Sequence, residues 1–223
     1  MINLFMTIAF ILLTIVLFKF SLLISKKISF INPILLTAII IIIILKIFKI
    51  PYSDYYKGGS LIAKVLGPIV VVLAIPLYKN RHDLMKNFVP IMGGVLASII
   101  TTFVSVIVLC KLFGVDETIM LSLLSKSITT PMAIESTKLL GGNEAITVLA
   151  VVITGLIGAA LAPIVIKLSK IKNNIAKGIG IGSASHAIGT TKAVEMNEDA
   201  GAASGLSIGV TGLLTIIAII IFA

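Results

Sequence analysis

Two short tracts of an otherwise apolar chain carry the residue types that do chemistry. The first, SKSITTPMAIE, begins at Ser125 and ends at Glu135; the second, GSASHAIGTTKAVE, begins at Gly182 and ends at Glu195. In the first, the hydroxyls of Ser125, Ser127, Thr129 and Thr130 cluster around Pro131, with Lys126 and Glu135 flanking them. Proline lacks an amide hydrogen and disfavours helix at the preceding residue, so a helix break is expected at Thr130, freeing carbonyls and helix-end amides. In the second tract, Ser183, Ser185, His186, Thr190 and Thr191 surround Gly189, the expected turn. Helix N-termini near residues 183–191 would aim amide donors and partial positive charge at a small anion. A carboxylate is the natural guest.

Each group also has a plainer reading. Serine and threonine re-satisfy the backbone at proline breaks in membrane helices. His186 reads either as a structural hydrogen-bonding residue or as a group that donates to a carboxylate or shuttles a proton. Glu135, His186 and Lys126 are the candidates for ion or proton coupling, because ionisable groups at membrane depth are costly unless useful or paired. Lys126, Lys138 and Lys192 could neutralise a carboxylate or simply snorkel, and Glu195 reads either as a further coupling candidate or as a solvated end near the headgroups. The glycines at 178, 180 and 182 lack the register and the strand context of a dinucleotide site and read as close-packing positions.

The elements that must hold these tracts follow from composition. Of 223 residues, 58% are hydrophobic and 12% charged, and mean hydropathy is +1.20, against about 25% charged in soluble domains. Continuous rather than alternating apolar runs make the chain an all-α polytopic membrane protein and not a β-barrel. Six full spans are expected at about 3–24, 30–47, 60–78, 88–113, 144–166 and 202–222. The first lacks a basic leader and a cleavage site and reads as a retained helix. Pro33 suits a first helical turn, and Gly67-Pro68 and Pro76 should bend the third span. Tyr55, Tyr56 and Tyr78 read as interfacial aromatics, Cys110 as a small buried apolar residue, and Gly201, Gly205 and Gly209 as a helix-packing stripe.

Residues 115–142 and 177–201 are only moderately apolar and suit re-entrant or broken hairpins, since irregular backbone at membrane depth survives only inside protein or beside water. Treating both as hairpins sorts Lys26, Lys27, Lys79, Arg81, Lys86, Lys167, Lys170, Lys172 and Lys177 to one side. The positive-inside rule then puts both termini outside. The hairpins would enter from opposite faces, as inverted repeats do, and an echo supports the pairing: AIESTK at 133–138 and AIGTTK at 187–192. Residues 1–113 are thus expected to be a scaffold of helices and 114–223 a hairpin-containing half. The net charge of +9 belongs to span ends facing lipid headgroups, which argues against nucleic acid. No protease, hydrolase-elbow or Cys/His metal pattern is present, so neither enzyme nor metal protein is expected, and no cofactor beyond a coupling proton or sodium ion.

On NPILL (32–36), LGPIVVVLAIPLY (66–78) and the two polar tracts, the sequence resembles the LrgB/CidB family of bacterial inner-membrane proteins over nearly its whole length. It is similar, too, to the carboxy-terminal half of the plastid glycolate/glycerate translocator. The resemblance implies a multi-pass protein working with a small four-span LrgA/CidA-like partner, in homo-oligomers or not. It implies either an antiholin-like regulator of murein hydrolase activity and lysis, or a carrier of small monocarboxylates such as pyruvate, glycolate or glycerate. Paired hydroxyl-rich breaks favour the carrier at the level of sequence.

Overall fold

In hydrocarbon every backbone amide must be satisfied within the segment, so long apolar runs become helices. The structure, a computed structural model, describes residues 2–28, 33–65, 68, 72, 74–79 and 81–222. Eleven helices occur among them: α1 (Ile2–Lys27), α2 (Pro33–Ile47), α3 (Tyr52–Ala63), α4 (Ala74–Lys79), α5 (Arg81–Lys86), α6 (Phe88–Leu112), α7 (Glu117–Leu124), α8 (Thr130–Leu140), α9 (Glu144–Leu168), α10 (Asn174–Met196) and α11 (Glu198–Phe222). Strands are absent among the described residues. Helices α1, α6, α9 and α11 are long and apolar enough to cross a membrane. At 1.5 Å per residue, a 25-residue helix such as α6 spans about 37 Å against a core of about 30 Å. The second expected span is the shorter α2, of 15 residues. The third divides between α3 and α4, and the proposed bend at Gly67 lies outside the described residues.

The chain forms two compact units, residues 1–66 and 67–223; the boundary drawn from sequence lies at 113, and α6 belongs to the second unit with both polar tracts. In the first unit, α1 packs on α2 and α3. Gly58 lies so close to Phe10 and the Thr7 carbonyl that a Cβ would stand 2.9 Å from each. Tyr55 turns inward rather than lying at an interface: its ring meets Phe10 edge-on at 5.8 Å and its hydroxyl lies 3.1 Å from Thr14 Oγ1. Tyr56 and Tyr78 are exposed, as expected.

The second unit buries hydroxyls among apolar clusters such as Ile91, Val95, Ile99 and Ile179, and it also exposes large aliphatic side chains. Leu96, Ile100, Val104 and Val108 on α6 and Leu149, Ile153, Ile157 and Leu161 on α9, each set spaced by four, are exposed. That spacing keeps them on one helix face, turned to lipid. The buried faces instead carry Thr147 and Gly155 on α9 and Ala200, Ser204, Ser207 and Thr211 on α11. The stripe expected at Gly201, Gly205 and Gly209 is displaced. Gly201 packs on Val194, but Gly205 meets nothing within 4 Å. Cys110 is buried in an apolar cluster with Val106 and Leu124.

Helix ends are fixed locally. Asp116 accepts the Thr118 amide at 2.9 Å to start α7, and Asn143 accepts those of Ala145 and Ile146 to start α9. Gly141, at φ 73°, ends α8 in the left-handed conformation that glycine adopts at no steric cost.

Both polar segments turn back on themselves. Within α10 the helix breaks at His186, at φ 41° and ψ −144°. Gly182 before the break packs against Ser204, and Thr190 after it hydrogen-bonds the same serine at 2.7 Å. In one straight helix these residues would stand about 12 Å apart. Likewise Gly178 and Val194 both abut the first turn of α11, at Ala200 and Gly201 respectively. Residues 174–196 are therefore a hairpin with its tip at His186. The turn expected at Gly189 is not there; that glycine is helical and lies where a Cβ would meet Ser185 Cβ at 2.5 Å.

Helices α7 and α8 form the other hairpin, tied by Ser125 Oγ to Thr137 Oγ1 at 3.2 Å. Its open end joins α9 at the Asn143 amide, which donates to Ser122 Oγ at 2.7 Å. The first hairpin enters beside the C-terminal end of α6, which residues 113–116 join to α7. The second enters beside the N-terminal end, where Ile179 packs on Gly94. They come from opposite faces, and both echoed hexapeptides open a second limb. Lys86, Lys167, Lys170, Lys172 and Lys177 gather at the helix ends of the second hairpin's face, and Lys111, Asp116, Glu117 and Glu144 at the other.

Gly182→Ala is expected to cost about 1–3 kcal/mol through overpacking against Ser204, whereas Gly180→Ala, with open space around it, should be neutral or stabilise by up to about 1 kcal/mol. Thermal unfolding followed by a fluorogenic maleimide reacting with Cys110 measures both; equal effects would contradict the hairpin packing.

Candidate functional site

The first tip and the first limb of the second hairpin approach one another near the middle of α6. Ser98 Oγ, on α6, donates to the Ser183 carbonyl at 3.2 Å. A small cavity there is lined by Ser98, Ile99, Thr102 and Phe103 of α6, Leu124, Ser127 and Ile128 of the first tip, Ser183 of the second hairpin, and Thr211 and Thr215 of α11. It has about 10 Å³ of room, roughly what one water needs. Of the expected site residues, Ser127 and Ser183 come together here. Ser183 Oγ donates to the Ile179 carbonyl at 2.7 Å, which leaves its lone pairs free.

The remaining members of the two tracts take other places. Ser125 is buried in a hydroxyl chain that runs through Thr137 to Thr147 at 2.8 Å, and Thr147 Oγ1 donates to the Ser122 carbonyl at 2.9 Å. This chain ties α7, α8 and α9 together. Thr129 precedes α8, and its buried Oγ1 has no hydrogen-bond partner among the described residues. Thr130 and Pro131 are the first two residues of α8, where the missing proline amide is no loss because early helix amides have no intrahelical acceptor.

At the second tip, Ser185 turns to α9, so close to Gly158 that no Cβ fits there. The His186 Nε2–H donates to the Val151 carbonyl at 2.9 Å, which leaves Nδ1 as the acceptor of the neutral ring. The ring fills the space beside Gly155, where a Cβ would stand 2.7 Å from Cε1. A positive φ at a non-glycine residue costs of the order of 1–3 kcal/mol; the ring's hydrogen bond and burial offset it. Thr190 Oγ1 is shared between the His186 carbonyl at 2.9 Å and Ser204 Oγ. Thr191 is exposed and donates to the Ile188 carbonyl at 2.7 Å.

The charged candidates stand apart from the cavity. Glu135 pairs with Lys138 at 2.9 Å and Glu195 with Lys192 at 2.8 Å, each pair partly exposed on the second limb of its hairpin. Lys126 lies in the first tip, half-buried, and is not among the residues that line the cavity. Sequence reasoning missed Ser98, Thr102, Thr211 and Thr215. Their signal was a hydroxyl pair four residues apart in each of two apolar spans, which puts both members on one helix face.

Gly155→Ala and His186→Ala are each expected to destabilise by about 1–3 kcal/mol, one by displacing the ring and the other by leaving the Val151 carbonyl short of a donor. The double variant should lose less than the sum, because removing the ring vacates space for the new methyl. Strict additivity in Cys110-reported melting would show that ring and glycine do not share this contact.

The sequence profile of the LrgB-like family matches residues 14–223. A holin-like protein, CidB, of Staphylococcus aureus is 40% identical over 92% of this chain and 90% of its own. An antiholin-like protein, LrgB, of Bacillus subtilis is 34% identical over 89% and 86%. A protein of that organism called YxaC, of uncharacterised role, is 43% identical over 83% and 80%. No solved structure matches the chain. The first of these relatives is named a holin-like and the second an antiholin-like protein. A multi-pass membrane protein carrying both polar tracts, matched from residue 14 to its last, belongs to the LrgB-like family.

Proposed function

We propose that this chain acts in the membrane as its named relatives are described, as a holin-like or antiholin-like protein. The observation that carries this is identity of 40% across 92% of the chain to a holin-like protein. From sequence alone, transport ranked ahead of lysis control; the relatives favour the second reading over the first. The test is replacement: in a bacterium lacking its own CidB-like protein, this chain should change the timing of lysis and murein hydrolase activity. Unchanged lysis with the chain inserted in the membrane would remove the proposal.

One observation favours a second reading, a carrier of small monocarboxylates of the pyruvate, glycolate or glycerate type. Two hairpins entering from opposite faces, with hydroxyl-rich tips at mid-depth, suit a solute path and have no evident use in a pore regulator. On this reading a small LrgA/CidA-like protein is the partner, the bacterial inner membrane is the location, and the face bearing Lys86 and Lys167 is cytoplasmic, with both termini outside. Proteoliposomes with and without the partner should take up labelled pyruvate or glycolate, and Ser127→Ala, at the tract residue that lines the cavity, should lower uptake about ten-fold while leaving lysis control intact if the two are separate. Absence of flux from folded protein in both preparations would eliminate the carrier.

A further inference from the structure

The cavity between the hairpins is more specific than either function requires. Six hydroxyl side chains line it, from α6, the first tip, the second hairpin and α11. Thr211 is 2% exposed, and its Oγ1 has no hydrogen-bond partner among the described residues. An orphan buried hydroxyl costs about 1–3 kcal/mol, so something is expected to meet it. The protons of Ser98 and Ser183 are already committed, to the Ser183 and Ile179 carbonyls. Both oxygens therefore present lone pairs to the cavity. Each hydroxyl also carries two lone pairs against one proton, and an array of neutral oxygens with these two protons turned away suits a small cation.

The size and chemistry narrow the guest. A cavity of about 10 Å³ is too small for a carboxylate and holds one water-sized sphere. Carboxylates do not line it among the described residues, which disfavours a divalent ion, for which charged oxygen ligands are usual. Serine and threonine hydroxyls do not titrate near neutral pH, so the site is not a proton carrier. We propose that the oxygens of Ser98, Ser127, Ser183, Thr211 and Thr215 form a binding site for one sodium ion at the meeting point of the two hairpins. The site pins both hairpins to α6 and α11 and stands whichever function holds.

The full chain in detergent is titrated with sodium chloride against choline chloride at constant ionic strength. Unfolding is read by a fluorogenic maleimide on Cys110, the sole cysteine and 5% exposed. The melting temperature should rise saturably with sodium and not with choline or potassium. Thr211→Val should weaken the apparent sodium affinity about ten-fold or more, and Thr211→Ser should keep it. Should Thr211→Val fail to fold, Ser127→Ala and retention of radioactive sodium by the wild-type chain give the same reading. No sodium-specific shift in folded protein, an equal shift with potassium, or an unchanged affinity in Thr211→Val would overturn the site and leave only a water. Because neither flux nor lysis enters the readout, its failure is distinct from failure of the proposed function.

Discussion

The second unit depends on one constraint: a helix broken in the middle of a membrane exposes backbone that hydrocarbon cannot solvate. The break at His186 meets it by burial. Its ring is bonded to α9, and its carbonyl accepts the Thr190 hydroxyl. Such burial demands that neighbouring helices come very near, and Gly155, Gly158, Gly178 and Gly182 sit where any Cβ would collide with the hairpin or with α11. Small residues are therefore the means by which a polar, irregular tip is carried to mid-depth. Large aliphatic side chains such as Leu96, Ile100, Ile153 and Ile157 cover the outer face, while Ile91, Val95, Ile128 and Val151 fill the spaces between the helices.

The first hairpin meets the same constraint with different groups. Its break is a true turn, residues 125–129, rather than a kink within one helix. The chain of hydroxyls from Ser125 through Thr137 and Thr147 to the Ser122 carbonyl takes the role that glycine contact plays in the second. The pair is thus related by topology and by a short echo, but not by equivalent bonds. Inverted repeats need only preserve the path of the chain to place two tips opposite one another; the local bonds are free to diverge.

Much of this arrangement was legible in sequence because composition contrasts so strongly. Four spans, both interrupted segments and the sorting of lysines follow from where apolar runs stop. What failed were choices among local alternatives. Gly189 looked like the turn because glycine tolerates positive φ, yet its lack of a side chain is spent on packing against Ser185, and His186 takes the strained conformation because its ring has a partner. The stripe at Gly201 and Gly205 looked like the packing face of α11, but serine and alanine one position or so away also let backbones approach and bring hydroxyls as well. Tyr55 was read as interfacial because its ring suits headgroups; Phe10 and Thr14 give it both an apolar and a polar contact inside. The lining residues on α6 and α11 were hidden because serine and threonine in an apolar span are usually satisfied by their own helix.

The same physics explains why the charged candidates did not converge on the tips. A bare charge at mid-depth has no water to replace its shell, whereas hydroxyls and carbonyls are neutral and need only one another. Lys138 lies eight residues beyond Thr130, about 12 Å along α8, and Lys192 six residues beyond His186, about 9 Å along its limb. Both are thus displaced from the tip toward the face by which their hairpin enters, where a long side chain can reach headgroups. Each also pairs with a glutamate three residues away on the same helix, an exposed interaction worth at most about 0.5 kcal/mol. Lys126 is the exception, a cation held in the tip itself. It is half-buried there and lines no part of the hydroxyl cavity.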